Sequence, residues 1–392
     1  MTEIKIAEYG ASADCTGCAS CYNACAHGAL QMTPDAEGFL RPTLELQLCR
    51  GCRRCEHSCP GLQELAPLEQ SASELYAAWH NDPAIRASSS SGGLFSVFAE
   101  EVFAQHGVVF AVGYGDDLTA RFCCAHNVEE LAAQRVSKYV QAEVGAIYRQ
   151  VKSVLQEGRV TLFCGTPCQV AGLRQFLSRD YDNLLTIDLV CHGVPSPLLF
   201  RKWVDWLGKR LGDPIKNVNF RSKSQGGSHT VRLTFQGPRD VVEFPWRSQL
   251  ASYIGTVFLK NIALRPSCSR CRYSQIKRVG DITLGDFWGA ELPATYQAER
   301  HLGVSLVIVN SARGAKWRQK VASGATWLDA ELSRALTGNH SLRSPAPAHA
   351  QRDAFMAALA QNDYPTVIRM FKTALYGSSR TRFLNRLKRL VK

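Results

Sequence analysis

Eight cysteines in the first sixty residues repeat one spacing: Cys15, Cys18, Cys21 and Cys25, then Cys49, Cys52, Cys55 and Cys59, with Pro60 following. The pattern is C-x2-C-x2-C-x3-C, twice. Three thiolates two residues apart wrap one face of an iron-sulfur cube, while the fourth, three residues on, points away towards a second cube. Two 4Fe-4S clusters with crossed ligation are therefore expected. Cys15, Cys18, Cys21 and Cys59 would hold one, and Cys49, Cys52, Cys55 and Cys25 the other. A segment built this way has a core made mostly of its clusters, and it moves single electrons.

Other uses of these cysteines fit less well. Structural zinc usually takes two separated pairs of ligands, whereas here four thiols fall within eleven residues, twice. Disulfides need an oxidising compartment and usually an even count; there are fifteen cysteines, and the opening MTEIKIAEYG has no apolar signal core. Residues 1–66 thus read as a dicluster module of the bacterial ferredoxin type, with Gly38 and Pro42 between its two cysteine loops. Ala26 stands where such ferredoxins usually carry proline, a departure confined to the first loop.

At 392 residues the chain is long enough for two or three domains, and its 45% apolar and 20% charged content is that of an ordinary globular protein. The longest apolar candidate, Val304 to Val309, is strand-sized, far below the roughly eighteen residues of a membrane span. A cytoplasmic location is expected. The formal charge of +12 falls once clusters assemble. Each four-thiolate site around a core of +2 carries about −2, so three sites leave roughly +6. That surplus suits an acidic electron donor such as a ferredoxin, or an anionic substrate. No nucleic-acid-binding motif accompanies it, and no nucleic-acid partner is expected.

From Leu75 onward, strand-like runs alternate with amphipathic segments. Strands are expected at Val108 to Val112, Val160 to Cys164, Leu184 to Val190, Thr230 to Phe235, Asp281 to Leu284 and Val304 to Val309. Helices are expected at Leu94 to Gln105, Ala142 to Gln156 and Gln169 to Leu177. The fold class is therefore α+β or α/β and multidomain: the dicluster module (1–66), a central mixed-sheet domain (67–326) and a helical C-terminal extension (327–392). The chain ends in GSSRTRFLNRLKRLVK, where Phe383, Leu384, Leu387, Leu390 and Val391 share one helical stripe among basic residues. Such a tail can lie on the inner face of an anionic membrane, although a terminal helix this short more often packs, solvated, on its own protein.

Seven further cysteines lie beyond the module. Cys168 follows a Gly-Thr-Pro turn, and Pro167 is a favoured first helical residue, so its thiol sits at a helix N-terminus where the dipole favours thiolate. Cys191 ends a strand, and Cys268 and Cys271 form a C-x2-C pair. Four such ligands can converge at one end of a sheet. Spacing alone leaves zinc and iron-sulfur both open. Cys123, Cys124 and Cys164 read as small buried hydrophobes.

The stretch from Arg86 to Asn310 resembles the beta-subunit family of coenzyme F(420) hydrogenases and dehydrogenases, whose relatives include 7-hydroxymethyl chlorophyll a reductase. The motifs that carry the resemblance are RASSSSGGLFS (86–96), RVSKYVQAE (135–143), FCGTPCQVAGL (163–173), DLVCHGVPSP (188–197), LRPSCSRCRY (264–273), GDITLGDFWGAE (280–291) and GVSLVIVNS (303–311). The resemblance implies a domain binding FAD and one further 4Fe-4S cluster, the latter held by Cys168, Cys191, Cys268 and Cys271. The segment FRSKSQGGSHTVRL (220–233) keeps Arg221 and Lys223 but departs from the aromatic character of relatives, so substrate identity transfers least.

Within that frame, Arg86, Ser90, Ser91, Gly92 and Gly93 form a run of small residues before a helix, whose bare amides suit a pyrophosphate. Lys138 and Tyr139 are candidate contacts to flavin or phosphate. Asp286, Phe287 and Trp288 follow a strand; an aromatic there can lie on the flavin ring or simply pack in the core. His192 and His229 are candidate acids, or else residues that support a ligand or lie on the surface. Clusters pass one electron at a time and a flavin holds one or two, so the expected path joins a one-electron donor to a small organic substrate. Relatives beside polysaccharide-biosynthesis enzymes suggest an envelope substrate. The alternative is an electron-transfer subunit exchanging electrons between coenzyme F(420) and a hydrogenase or dehydrogenase partner.

Overall fold

A computed structural model describes residues 5–66, 68, 74–227 and 229–377. The basic tail, Arg380 to Lys392 with its stripe from Phe383 to Val391, lies outside the described residues. In the N-terminal module, short helices at Lys5–Ala11, Ser20–Ala24 and Arg54–His57 surround a hairpin of β1 (Leu30–Pro34) and β2 (Leu40–Leu44). Its strands pair antiparallel, Leu30 opposite Leu44, around a turn in which Gly38 has φ 83°. Ile6, Cys21, Leu30 and Cys59 form its buried cluster, with Tyr9, Leu44 and Leu62 packed on it and Phe39 and Ala29 buried nearby in sequence. So small a core leaves the module dependent on ligation and docking.

The central domain is an eight-stranded mixed sheet. Its strands are β3 (Glu74–His80), β4 (Val108–Tyr114), β5 (Ala120–Ala125), β6 (Thr161–Gly165), β7 (Leu184–Leu189), then β11 (Ile282–Asp286), β12 (Ser305–Val309) and β13 (Ala325–Asp329), the numbers between belonging to a second sheet. The order is β13-β3-β12-β11-β7-β6-β4-β5. Strands β4, β6, β7 and β11 run parallel. Helices cover both faces, which is why the strands read as continuous apolar runs: on β12, Val307 and Val309 face one core, and Leu306 and Ile308 the other.

The second sheet contains β8 (Ile215–Ser222), β9 (Thr230–Phe235) and β10 (Val242–Pro245) in antiparallel order. A helix at Pro197–Leu211 packs on it, with Ser196 accepting from the Leu199 amide as its cap. The fully buried Trp203 stacks on Phe220 and Tyr253. The helices Arg352–Gln361, Tyr364–Met370 and Lys372–Tyr376 join this same core through Phe355, Tyr364 and Leu375.

Several boundaries differ from expectation. The segment from 327 does not begin as helix: Trp327 pairs with Ala78 on the edge strand β13, and the helical part starts after it. The helix expected from Ala142 begins at Ile147, because Gly145 takes a positive φ of 54° and the chain before it runs alongside β5. The module is not a free appendage either. Asn23 Nδ2 donates to Gly145 O at 2.8 Å, Arg272 Nη1 to Pro60 O at 2.9 Å, and Gln175 Nε2 to His57 O at 2.9 Å.

Candidate functional site

The two cysteine loops of the module repeat in conformation as well as spacing. Gly17 and Gly51 have φ of 69° and 67°, and Ala19 and Arg53, each just after the second cysteine of its loop, have φ of 57° and 56°. A left-handed residue costs an L-amino acid about 1–2 kcal/mol, so two such pairs at matching positions mark a shape imposed by ligation geometry. Cys15, Cys18 and Cys21 line an open cavity of about 690 Å³ together with Cys59 from the second loop, and Cys271 of the central domain also reaches its wall. Cys25 in turn lies near enough to Cys55 to help raise its thiol pKa, which burial pushes up to about 11. Cys49 is half-buried and Cys52 exposed.

Beyond the module, the C-terminal ends of the parallel strands carry the remaining groups. Strand β6 ends at Gly165, and Thr166 caps the helix Pro167–Leu177 with Gln169 closing the capping box. This places Cys168 in the first turn, with its sulfur 3.2 Å from Thr166 Oγ1. Cys191 and His192 follow β7, and Cys268 sits in the short turn Pro266–Arg270 that leads to Cys271. Cys168, Cys191, Cys268 and Cys271 line one cavity of about 500 Å³. The Val194 amide donates to Cys268 Sγ at 3.4 Å.

Burial overrides the helix dipole at Cys168: its thiol is pushed up to about 11, Cys268 to about 12, and Cys191 well above its ordinary value. The helix position and the Thr166 hydroxyl favour the thiolate at Cys168, and burial opposes them. A bound cation would draw such buried thiols to the thiolate form. Among the described residues no three His, Cys, Asp or Glu side chains converge on a single ion position.

The two cavities are neighbours. Thr16, Ser267, Cys271 and Tyr273 line both. Gly172, on the Cys168 helix, faces the module so closely that a Cβ there would lie 3.1 Å from Cys18 Sγ.

The proposed flavin loop follows β3 at the same end of the sheet. Much of it is committed to the fold. Arg86 is 1% exposed and donates to the Glu299 carboxylate at 2.9 Å and to Gly303 O at 2.9 Å. A Cβ on Gly92 would meet Ala78 O at 2.5 Å, and Gly93 caps the helix Leu94–Ala104 with φ 89°. Ser91 O accepts from Lys223 Nζ at 2.6 Å, and Ser90 Oγ from the Ser137 amide at 2.8 Å.

Beside the loop lies a polar and aromatic cluster. Arg221 pairs with Asp286 at 2.9 Å and donates to Tyr139 Oη at 3.0 Å and to Ser90 O at 3.1 Å. Its guanidinium lies 5.5 Å from the Trp288 ring centroid and 5.8 Å from that of Trp246. His229 is exposed between these two indoles, and burial and Arg221 lower its pKa. Phe287 is core, packed with Leu306 and Ile308, whereas Trp288 is 43% exposed. Lys138 Nζ donates to Ala133 O at 2.6 Å, and burial lowers its pKa to about 7. His192 is elsewhere, hydrogen-bonded to Asn261 Oδ1 at 2.6 Å on the wall of the second cavity.

Family profiles match three parts of the chain: the 4Fe-4S dicluster domain at residues 14–61, and the coenzyme F(420) hydrogenase/dehydrogenase beta subunit N-terminal part at 75–148 and C-terminal part at 158–330. The chain belongs to this beta-subunit family. Among solved structures it is similar to a chain of the xenon-derivatised F(420)-reducing nickel-iron hydrogenase complex from Methanosarcina barkeri. The TM-score is 0.47 at 15% identity, covering 79% of this chain and 94% of that one, and carries no argument by itself. No curated protein matches. As a beta-subunit family member with a dicluster domain, the protein is an iron-sulfur redox protein. No helix among its described residues is long and apolar enough to cross a membrane.

Two features of this beta-subunit chain escaped sequence reading. Tyr114, at the end of β4, has a buried hydroxyl with no hydrogen-bond partner among the described residues. Nothing local marks it, since one tyrosine in an apolar run looks like core. Arg265, three residues before Cys268, is 1% exposed and reaches the module. The only local signal is a cation immediately before the C-x2-C pair.

Proposed function

We propose that this protein carries electrons between a one-electron donor such as a ferredoxin and a small organic substrate, using three 4Fe-4S clusters and FAD. The observation that carries the reading is the pair of adjoining cysteine-lined cavities that share the wall Thr16, Ser267, Cys271 and Tyr273. Cys15, Cys18, Cys21 and Cys59 would hold one cluster, Cys25, Cys49, Cys52 and Cys55 a second, and Cys168, Cys191, Cys268 and Cys271 a third. When bound, these groups supply one-electron steps, and the flavin couples them to two-electron chemistry.

The side chains then have definable tasks. The missing side chain at Gly172 lets Cys18 approach the Cys168 helix. Thr166 Oγ1 and the Val194 amide offer hydrogen bonds to Cys168 and Cys268, which favour the more negative state of a cluster. For FAD, support comes from the orphaned Tyr114 hydroxyl and from the Tyr139, Arg221 and Asp286 constellation at strand C-terminal ends, where open α/β sheets bind ligands. Asp286 locks the Arg221 guanidinium, which in turn orients the Tyr139 phenol. Exposed Trp288 and His229 form a rim for the organic substrate, with His229 the better placed of the two histidines to deliver a proton there.

Anaerobic purification tests the reading. Three cubes give about twelve irons per chain, and Cys168→Ser should remove roughly four of them while leaving the module loaded. A colourless, iron-free protein would overturn the proposal. The family description favours a second reading, exchange of electrons with coenzyme F(420). Reduction of that deazaflavin by the purified protein separates the two.

A further inference from the structure

Arg265 is a buried cation with no carboxylate paired to it among the described residues. Nε donates to Cys15 O at 2.8 Å, Nη1 to Gln141 Oε1 at 3.0 Å, and Nη2 to Leu40 O at 3.1 Å, with Cys15 Sγ 3.8 Å away. Its ring neighbour is Phe39, 5.3 Å from the guanidinium carbon. Among the described residues no acidic side chain forms an ion pair with it. Asp35, which is close enough to influence it, is paired with Arg41 at 2.6 Å. An uncompensated guanidinium in the interior carries a penalty of several kcal/mol, so its counter-charge has to come from something else.

The position of the side chain says what that is. Arg265 lines the Cys168/Cys191/Cys268/Cys271 cavity while its outer nitrogens contact Cys15 of the neighbouring cavity. Its backbone is fixed as well: the amide donates to Val194 O at 2.9 Å and the carbonyl accepts from the Cys268 amide at 2.9 Å. A Cβ on Gly17 would lie 2.8 Å from Nη1, so the module loop is shaped to admit the guanidinium.

We propose that Arg265 is a positioning residue that sets the reduction potentials of the two adjoining clusters together, serving as the shared counter-ion between them. This rests on the reading that both cavities hold 4Fe-4S clusters. A fixed cation stabilises each cluster more in its reduced state, which carries one more negative charge, and so raises both potentials. The cluster of Cys25, Cys49, Cys52 and Cys55 does not touch Arg265 and is the internal control.

The test is an EPR-monitored redox titration of the anaerobically purified full chain. Arg265→Gln should make reduction of both adjoining clusters at least about tenfold less favourable, 59 mV for a one-electron step. Arg265→Lys should retain most of the wild-type value, and the control cluster should not move. Gln141→Glu keeps the arginine and sets a carboxylate against Nη1, so it should lower the same two potentials even if Arg265→Gln fails to assemble. Unchanged potentials in Gln141→Glu with full iron content overturn the inference alone. Absence of the two clusters from the wild-type protein overturns the functional reading and the inference together.

Discussion

Asp188 is the residue whose loss should damage the protein most per atom changed. It ends strand β7 region three residues before Cys191, is 0% exposed, and accepts five hydrogen bonds. Arg278 Nη2 donates to Oδ1 at 2.8 Å and Nε at 3.2 Å, Thr283 Oγ1 to the same oxygen at 2.8 Å, and the amides of Val279 and Gly280 to Oδ2 at 3.1 and 2.9 Å. Arg278 also donates to Tyr273 O at 2.9 Å, two residues past Cys271, so the pair ties two cysteine-bearing segments together. In Asp188→Asn the amide can accept at only one of the two oxygen positions, leaving either the three donors at Oδ1 or the two at Oδ2 unmet, and Arg278 buried without its counter-charge. Breaking one partner of a buried pair costs about 3–5 kcal/mol. With a urea m-value of about 3 kcal/mol/M, the midpoint should fall by about 1–1.7 M. The assay is anaerobic urea unfolding followed by tryptophan fluorescence, with iron content measured alongside. The double variant Asp188→Asn/Arg278→Met should recover part of the loss, because it removes the stranded charge. A midpoint for Asp188→Asn within about 0.3 M of wild type, corresponding to about 1 kcal/mol, would refute the argument.

Gly172→Ala sets a methyl 2.9 Å from Tyr148 Oη and 3.0 Å from Cys18 Cβ, and should destabilise by about 1–3 kcal/mol with loss of iron from the module, read by thermal unfolding and iron assay. Arg149 donates to the carbonyls of Tyr22, Asn23 and Cys25 at 2.8 to 2.9 Å from an exposed position; Arg149→Ala should cost about 1–2 kcal/mol and loosen the module first, as seen by amide exchange in the Ser20–Ala24 helix. Lys138 has its pKa lowered by burial from 10.5 to about 7, so between those values the unfolded chain holds a proton that the folded one does not. Stability should therefore rise with pH across that window, and Lys138→Met should flatten the slope of urea midpoint against pH.

Some of this was legible without a fold. Strand runs such as Thr230 to Phe235 were read at their observed limits, because β-branched residues between turn residues leave little choice. The helix Pro197–Leu211 was missed, although its capping serine and buried Trp203 and Leu207 are visible in hindsight. Its apolar stripe is diluted by five charged residues, and only the aromatic core above β8 decides which face turns in. At the expected flavin loop the motif did not show that the Arg86 guanidinium pairs with Glu299 or that Gly92 packs against Ala78 and Ser305, because both neighbours are distant in sequence.

What the sequence determined by itself was the chemistry of the N-terminal loops, since three cysteines at successive x2 spacings are kept within reach of one metal core by the short chain between them. The meeting of Cys168, Cys191, Cys268 and Cys271 is different in kind. It depends on β6 and β7 lying side by side in parallel, so that Cys168 and Cys191 follow strands that finish at the same end of the sheet, and on the bridge of Pro195 with Leu264 and the Arg265 amide bond to Val194 O, which bring the Cys268 and Cys271 segment to them. The placement of Arg265 between that end and the module is likewise a product of docking. A buried charge takes its meaning from the groups that surround it, and those are assembled only by the tertiary fold.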